Sequence, residues 1–161
     1  MPREITIVKN QFKSSEPQPN ELQVAEKGLW YIDQVDLKVY KLGWVTGEIP
    51  FEDQTDTEHS SGITLRGRHL WIASSCELKL AKPGLEAGET IGKYDSPGAE
   101  VTASREGIEG AQVTRLYRLE WIDRMLYVVA SPLQIVHIID LEIWKEAHQF
   151  RTPGFLNHGL A

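Results

Sequence analysis

Short apolar runs along this chain are separated by Gly, Pro and Asp breaks about every eight to twelve residues, a spacing that indicates all-β structure. The stretch "HSSGITLRGRHLWIASS" (59–75) shows the unit: a polar lead, a strand, a Gly turn, and a second strand opening on Leu-Trp. The pattern returns elsewhere. Leu29-Trp30, Leu70-Trp71 and Leu126-Tyr127 align at successive offsets of 41 and 56 residues. The same offsets align Leu22, Ile63 and Leu119 in the preceding run. They also align the turn "LGWVTGE" (42–48) with "PGLEAGE" (83–89) and, more loosely, with "IDLEIWKE" (139–146). Three landmarks in one register define an internal repeat.

Each unit reads as four strands. In the second unit these are Gly62–Leu65, Leu70–Ser74, Glu77–Lys82 and Thr90–Tyr94, with a turn at Pro83–Gly88. The segment "DLEIWKEAHQF" (140–150) also fits an amphipathic helix capped by Asp140, but its register with two Gly-containing turns favours turn plus strand. The longer offset places an insertion near Glu100–Arg115, expected as an exposed loop. Four-stranded units of about 40–45 residues mark β-propeller blades. The blades run over about 19–58, 59–115 and 116–156. Residues 157–161 add a terminal strand, and 1–18 form an N-terminal extension with an edge strand. A closed ring takes ~4–8 blades, and a blade needs neighbours on both faces. Three blades per chain therefore predict half of a six-bladed ring, closed by homodimerisation. Completion by another polypeptide is the alternative.

The motifs "GLWYIDQVDLKVYKLGWVTGE", "SSGITLRGRHLWIASS", "IGKYDSPGAEV" and "FRTPGFLNHGLA" resemble the propeller superfamily of virginiamycin B lyase-like and gluconolactonase-like proteins, over roughly residues 19–161. That resemblance implies an innermost strand beginning Pro-His-Gly-Leu, with the histidine facing the channel mouth. The pattern survives here as Asn157-His158-Gly159-Leu160. The equivalent slots hold Asn20-Glu21-Leu22, Ser61-Gly62-Ile63 and Tyr117-Arg118-Leu119, none with histidine, and the chain is half the length of such relatives.

Composition narrows the partners. The 161 residues are 41% hydrophobic and 25% charged, with net charge −6, which describes one globular domain. The 17 Lys and Arg are scattered, so no basic stripe points to nucleic acid. "MPREITIVKNQF" has no apolar signal-peptide core. The most apolar stretch, Met125 to Ile139, is too short and too polar to span a bilayer. A cytoplasmic location with no membrane partner is expected. The single cysteine, Cys76, is expected to be a buried inert thiol.

The register turns scattered polar residues into a candidate site. Asn20, Ser61, Tyr117 and His158 precede the aligned apolar position by two and are expected to ring the channel. Gln18, His59, Arg115 and Leu156 fill the layer before them. Loops leading into rigid strands are where ligand sites commonly form, although Ser, Asn and His are also ordinary turn residues. On the catalytic reading His59 or His158 abstracts a proton, and Tyr117 or Arg115 stabilises an oxyanion. This suits a lyase, an isomerase or a lactone or ester hydrolase acting on a small carbonyl compound. Asn20, Ser61, Gln23 and Glu120 would bind the ligand. A divalent cation is possible, since Glu21, Glu58 and Glu120 lie near the ring and "DQTDTEH" (53–59) is acidic, but no spacing matches a metal motif. His69, His137 and His148 read as structural, and Trp30, Trp71 and Tyr127 as core between blades. The alternative function is a non-catalytic propeller binding a small ligand or a protein.

Overall fold

The computed structural model describes residues 13–14, 17–67, 69–77, 79–83, 90–105, 108–112 and 114–154. Their architecture is three four-stranded antiparallel sheets in chain order. The first contains β1 (Pro19–Ala25), β2 (Gly28–Asp33), β3 (Lys38–Leu42) and β4 (Phe51–Gln54). The second contains β5 (Ser60–Arg66), β6 (His69–Ser74), β7 (Lys79–Pro83) and β8 (Thr90–Asp95). The third contains β11 (Leu116–Ile122), β12 (Met125–Ala130), β13 (Ile135–Asp140) and β14 (Lys145–Arg151). No α-helix occurs among the described residues, and Asp140–Phe150 is turn then strand. Among the described residues no helix is long and apolar enough to cross a membrane.

Two expectations need correcting. The insertion is not a plain loop: β9 (Thr102–Arg105) and β10 (Ile108–Gln112) pair with each other as a separate hairpin. Cys76 is exposed in the turn after β6 rather than buried.

The strands β1, β5 and β11 pack side by side as the innermost strands of neighbouring blades. Cross-strand partners share a sheet face, so the register gives each blade a face toward the preceding blade and a face toward the next. Trp30, Ile32 and Val39 of blade one meet Ile63, Leu70 and Ile72 of blade two. Trp71, Ala73 and Leu80 of blade two meet Leu119, Leu126 and Val128 of blade three. These positions are equivalent under the offsets of 41 and 56. The alternation Leu-Trp therefore has a direct meaning: leucine looks back and the aromatic looks forward. Tyr127, the third aromatic, departs from the expectation, because it lies on the forward face of the last blade and is half-buried rather than core.

The close approach of β5 to β11 depends on Gly62. A Cβ there would lie 3.3 Å from both the Leu119 side chain and the Tyr117 carbonyl. Gly28 opens β2 at φ +151°, where a Cβ would strike the Leu42 carbonyl at 2.4 Å.

Candidate functional site

The polar residues that lead the inner strands are gathered at one end of the arc, and most of them tie one blade to the next. The Asn20 side-chain amide donates to the Ser60 carbonyl at 2.9 Å, and that of Gln34 donates to the same oxygen at 3.0 Å. Ser61 is buried, and its hydroxyl donates to the Leu116 carbonyl at 2.5 Å. Arg115 donates from Nη1 to the Ser75 carbonyl at 3.2 Å. Each bond crosses a blade boundary and ends on a backbone carbonyl near a strand end, a group that needs a hydrogen-bond partner when buried. Asn20 and Gln18 are exposed, and Tyr117 is half-buried.

His59 is exposed and sits at φ +47°, in the left-handed region. Its carbonyl accepts from the Ser75 amide at 3.3 Å and from the Ser75 hydroxyl at 3.1 Å, so the backbone is held while the imidazole stands in solvent. Glu58 anchors the same turn, its carbonyl accepting from the Ser74 hydroxyl at 2.6 Å. His158, Leu156 and the terminal strand 157–161 lie outside the described residues, as does the head segment 1–12.

Gln23 and Glu120 lie on inner strands but not in a common cluster with His59. Gln23 donates to the Val24 carbonyl at 3.0 Å. Glu120 faces Arg118, 3.7 Å away. Arg118 is the inner-strand residue that the sequence reading passed over. Its guanidinium pairs with Glu21 across the arc, from blade three to blade one, and also donates to the Leu22 carbonyl at 3.1 Å. The two side chains are only 16% and 11% exposed, so the pair is a partly desolvated tie rather than a surface ornament. A signal was present, because Glu21, Gly62 and Arg118 occupy one register position, with opposite charges on either side of a glycine.

His137 is also more than a strand filler. It is buried, and its Nδ1 lies 2.5 Å from the Glu146 carboxylate. Its Nε2 is buried without a hydrogen-bond partner, close to where a Cβ on Gly98 would be. Among the described residues no group of three His, Cys, Asp or Glu side chains gathers as a metal site.

The opposite end of the arc holds two clefts, one at each blade boundary. The first, about 380 Å3, is lined by Ala25, Glu26, Lys27, Trp30 and Lys41. The second, about 320 Å3, is lined by Arg66, His69, Trp71, Lys82 and Tyr94. They are equivalent under the repeat. Lys41 lies 5.5 Å from the Trp30 ring centroid, and Lys82 lies 5.5 Å from that of Trp71.

The fold is shared with solved structures. Over 93% of its length the chain is similar to Kuenenia stuttgartiensis hydrazine synthase (TM-score 0.59, 12% identity), covering 40% of that chain. It is similar to the Neurospora crassa Pan2 WD40 domain over 86% of its length (TM-score 0.59, 13% identity), covering 37% of that chain. It is similar to Myxococcus xanthus glutaminyl cyclase over 83% of its length (TM-score 0.56, 8% identity), covering 50% of that chain. The fold is a β-propeller arc. The chain spans half or less of each of these three propeller chains. No family model and no curated protein matches it. The neighbours include an enzyme and a WD40 domain, so the likeness carries the fold and not an activity.

Proposed function

We propose that this chain is a ligand-binding arc of a β-propeller, that its ring is completed by a second copy, and that its inter-blade clefts do the binding. The observation that carries the assembly is the repeat register of the two outer faces. The backward face of blade one presents Leu22, Leu29 and Tyr31, the positions that Ile63, Leu70, Ile72 and Leu119, Leu126, Val128 fill at the two formed junctions. The forward face of blade three presents Tyr127, Val129 and Val136, equivalent to Trp30, Ile32, Val39 and to Trp71, Ala73, Leu80. One outer face is thus the complement of the other. Tyr31, Val129 and Val136 are buried within the chain, whereas Leu22 is 51% exposed and the flanking Val24, Ile122 and Phe150 are 66%, 47% and 44% exposed. Exposed apolar residues on the rim of faces patterned for a neighbouring sheet mark an interaction surface. A two-fold pairing places each forward face on a backward face and closes both junctions.

A mixing experiment tests this reading. Val24→Glu and Ile122→Glu each damage one outer face at an exposed position. Each variant alone should lose association, because both junctions of its dimer carry a defect. Mixed in equal amounts they should recover a pair, since one junction is then wild type on both sides. If the single variants associate as well as wild type, these faces do not join copies.

The binding reading is supported over catalysis at the strand-leading end because Asn20, Ser61 and Arg115 are occupied in inter-blade hydrogen bonds. One observation favours a catalytic second reading. His59 keeps an exposed imidazole on a left-handed backbone, and non-glycine residues held in that region are over-represented at functional sites. On that reading His59 is the general base, Tyr117 assists an oxyanion, and the reaction is the elimination, isomerisation or lactone cleavage suggested by resemblance to virginiamycin B lyase-like and gluconolactonase-like proteins. Turnover of a simple lactone that disappears in His59→Ala, with melting unchanged, would establish it.

A further inference from the structure

The cleft between blades two and three has chemistry that the equivalent cleft lacks. Trp71 forms its buried wall, stacked on Trp144 with centroids 5.8 Å apart and 9° between planes. Tyr94 lies against both rings, 5.5 Å from Trp71 and 4.2 Å from Trp144. The aromatic side of the cleft is therefore rigid, since each ring is held by two others. Above it stand two cations. Lys82 lies over Trp71, and the Arg66 guanidinium lies 3.9 Å from the Trp121 ring centroid. Stacking removes water from one face of a guanidinium but leaves its edge donors free.

Neither Arg66 nor Lys82 has a carboxylate partner among the described residues. Among the described residues the acid on the rim is Glu142, which faces Arg124 at 3.3 Å. Two cations without a carboxylate partner among the described residues therefore line one aromatic-walled cleft. The repeat supplies the comparison. At the first boundary the Lys-over-Trp pair is present, but Ala25 stands where Arg66 stands in blade two, and Glu26 adds a carboxylate. Lys27 gives the first cleft a second cation too, so what sets the second cleft apart is an arginine, stacked on the Trp121 ring.

We propose that the cleft formed by Arg66, Lys82, Trp71 and Tyr94 is a binding site for a small aromatic carboxylate. The carboxylate is held by the planar donor edge of Arg66 and the Lys82 ammonium, a pairing whose geometry favours arginine. The ring packs on the wall built by Tyr94 and Trp71. The volume suits one substituted ring, being at the lower end of the ~300–1,000 Å3 typical of ligand pockets. His69 lines the same cleft and contributes to its polar rim.

The inference rests on the binding reading above but not on the ring, and the two fail separately. Benzoate is titrated into the full chain by calorimetry and by tryptophan fluorescence, with benzyl alcohol and acetate as probes lacking the charge or the ring. Benzoate should bind saturably. Benzyl alcohol and acetate should each bind at least about tenfold more weakly, as expected for losing a charge-assisted hydrogen bond or the ring contact. Arg66→Gln and Lys82→Gln, both at solvent-accessible positions, should each weaken benzoate by about the same factor, while Lys145→Gln, an exposed charge on β14, leaves it unchanged. Ala25→Arg should strengthen a second, weaker site at the first boundary. Equal affinity for benzoate and benzyl alcohol, unchanged affinity in the Arg66→Gln Lys82→Gln pair, or no saturation at about 10 mM would overturn the site. A chain that binds benzoate as a monomer would keep the site and sink the ring.

Discussion

At the residue scale the arc is held by hydrogen bonds from residues whose sequence pattern suggested chemistry, Asn20, Ser61 and Arg115, and by the Arg118–Glu21 ion pair. Ser61 illustrates this. Its position in the repeat was legible, but its partner, the Leu116 carbonyl, belongs to a strand 55 residues away, and no local pattern shows where a hydroxyl points. Ser61→Ala should cost about 1–3 kcal/mol, the penalty for a buried acceptor left unpaired, read as a lower denaturation midpoint with unchanged slope. Arg118→Met should have a comparable effect for a different reason, because it strands the Glu21 carboxylate at an 11% exposed site. Asp56 gives a pH dependence. Burial alone would raise its carboxyl, but the Thr90 hydroxyl at 2.5 Å and the Lys93 ammonium outweigh that and hold it below the ordinary aspartate value. A depressed carboxylate stabilises the fold above its unfolded value and loses that contribution as pH falls through the folded one. Stability should therefore soften below about pH 4, and Asp56→Asn should flatten that limb. The effect will be small, because the side chain is 54% exposed and solvent screens it.

At the scale of elements the sequence was most readable where periodicity and packing agree. The four strands of blade two begin and end close to the positions that the Gly and Pro breaks mark, because a strand with one face on each neighbour leaves a clear apolar trace. Residues 145–151 were ambiguous for the opposite reason. Every residue of β14 is exposed, so its composition reflects solvent rather than packing, and only the repeat register separated strand from helix. The insertion was misread because β9 and β10 pair with each other and with no blade. A hairpin that adds no strand to a blade falls outside the repeat register, so the repeat gives no sign of it. Replacing 101–113 by a short Gly-Ser linker should thus leave the melting temperature within a few degrees of wild type. Gly62→Val should do the reverse. The two innermost strands would be forced apart at a 3.3 Å contact, at a cost of about 1–3 kcal/mol typical of overpacking.

At the scale of the molecule the same alternation that builds two junctions leaves half a junction at each end. Leucine-type residues look backward from blade one, and Tyr127 with Val129 and Val136 looks forward from blade three, and these are the two faces that the proposed ring would join. The sequence made this legible as a count of blades. The structure adds which side chains face outward and how far they are exposed. The candidate site was less legible, because polar residues at strand ends serve hydrogen bonding between blades as readily as chemistry. The repeat still contained the clue to the cationic cleft, in Arg66 set against Ala25, but only the contact of Arg66 with Trp121 and of Lys82 with Trp71 gave that difference a place. The most direct test of ring completion is the solution mass of the unmodified chain, measured by light scattering across micromolar concentrations. Completion by a second copy requires a single species at twice the 18.2 kDa of one chain. A monodisperse monomer that persists to the highest concentration would contradict it.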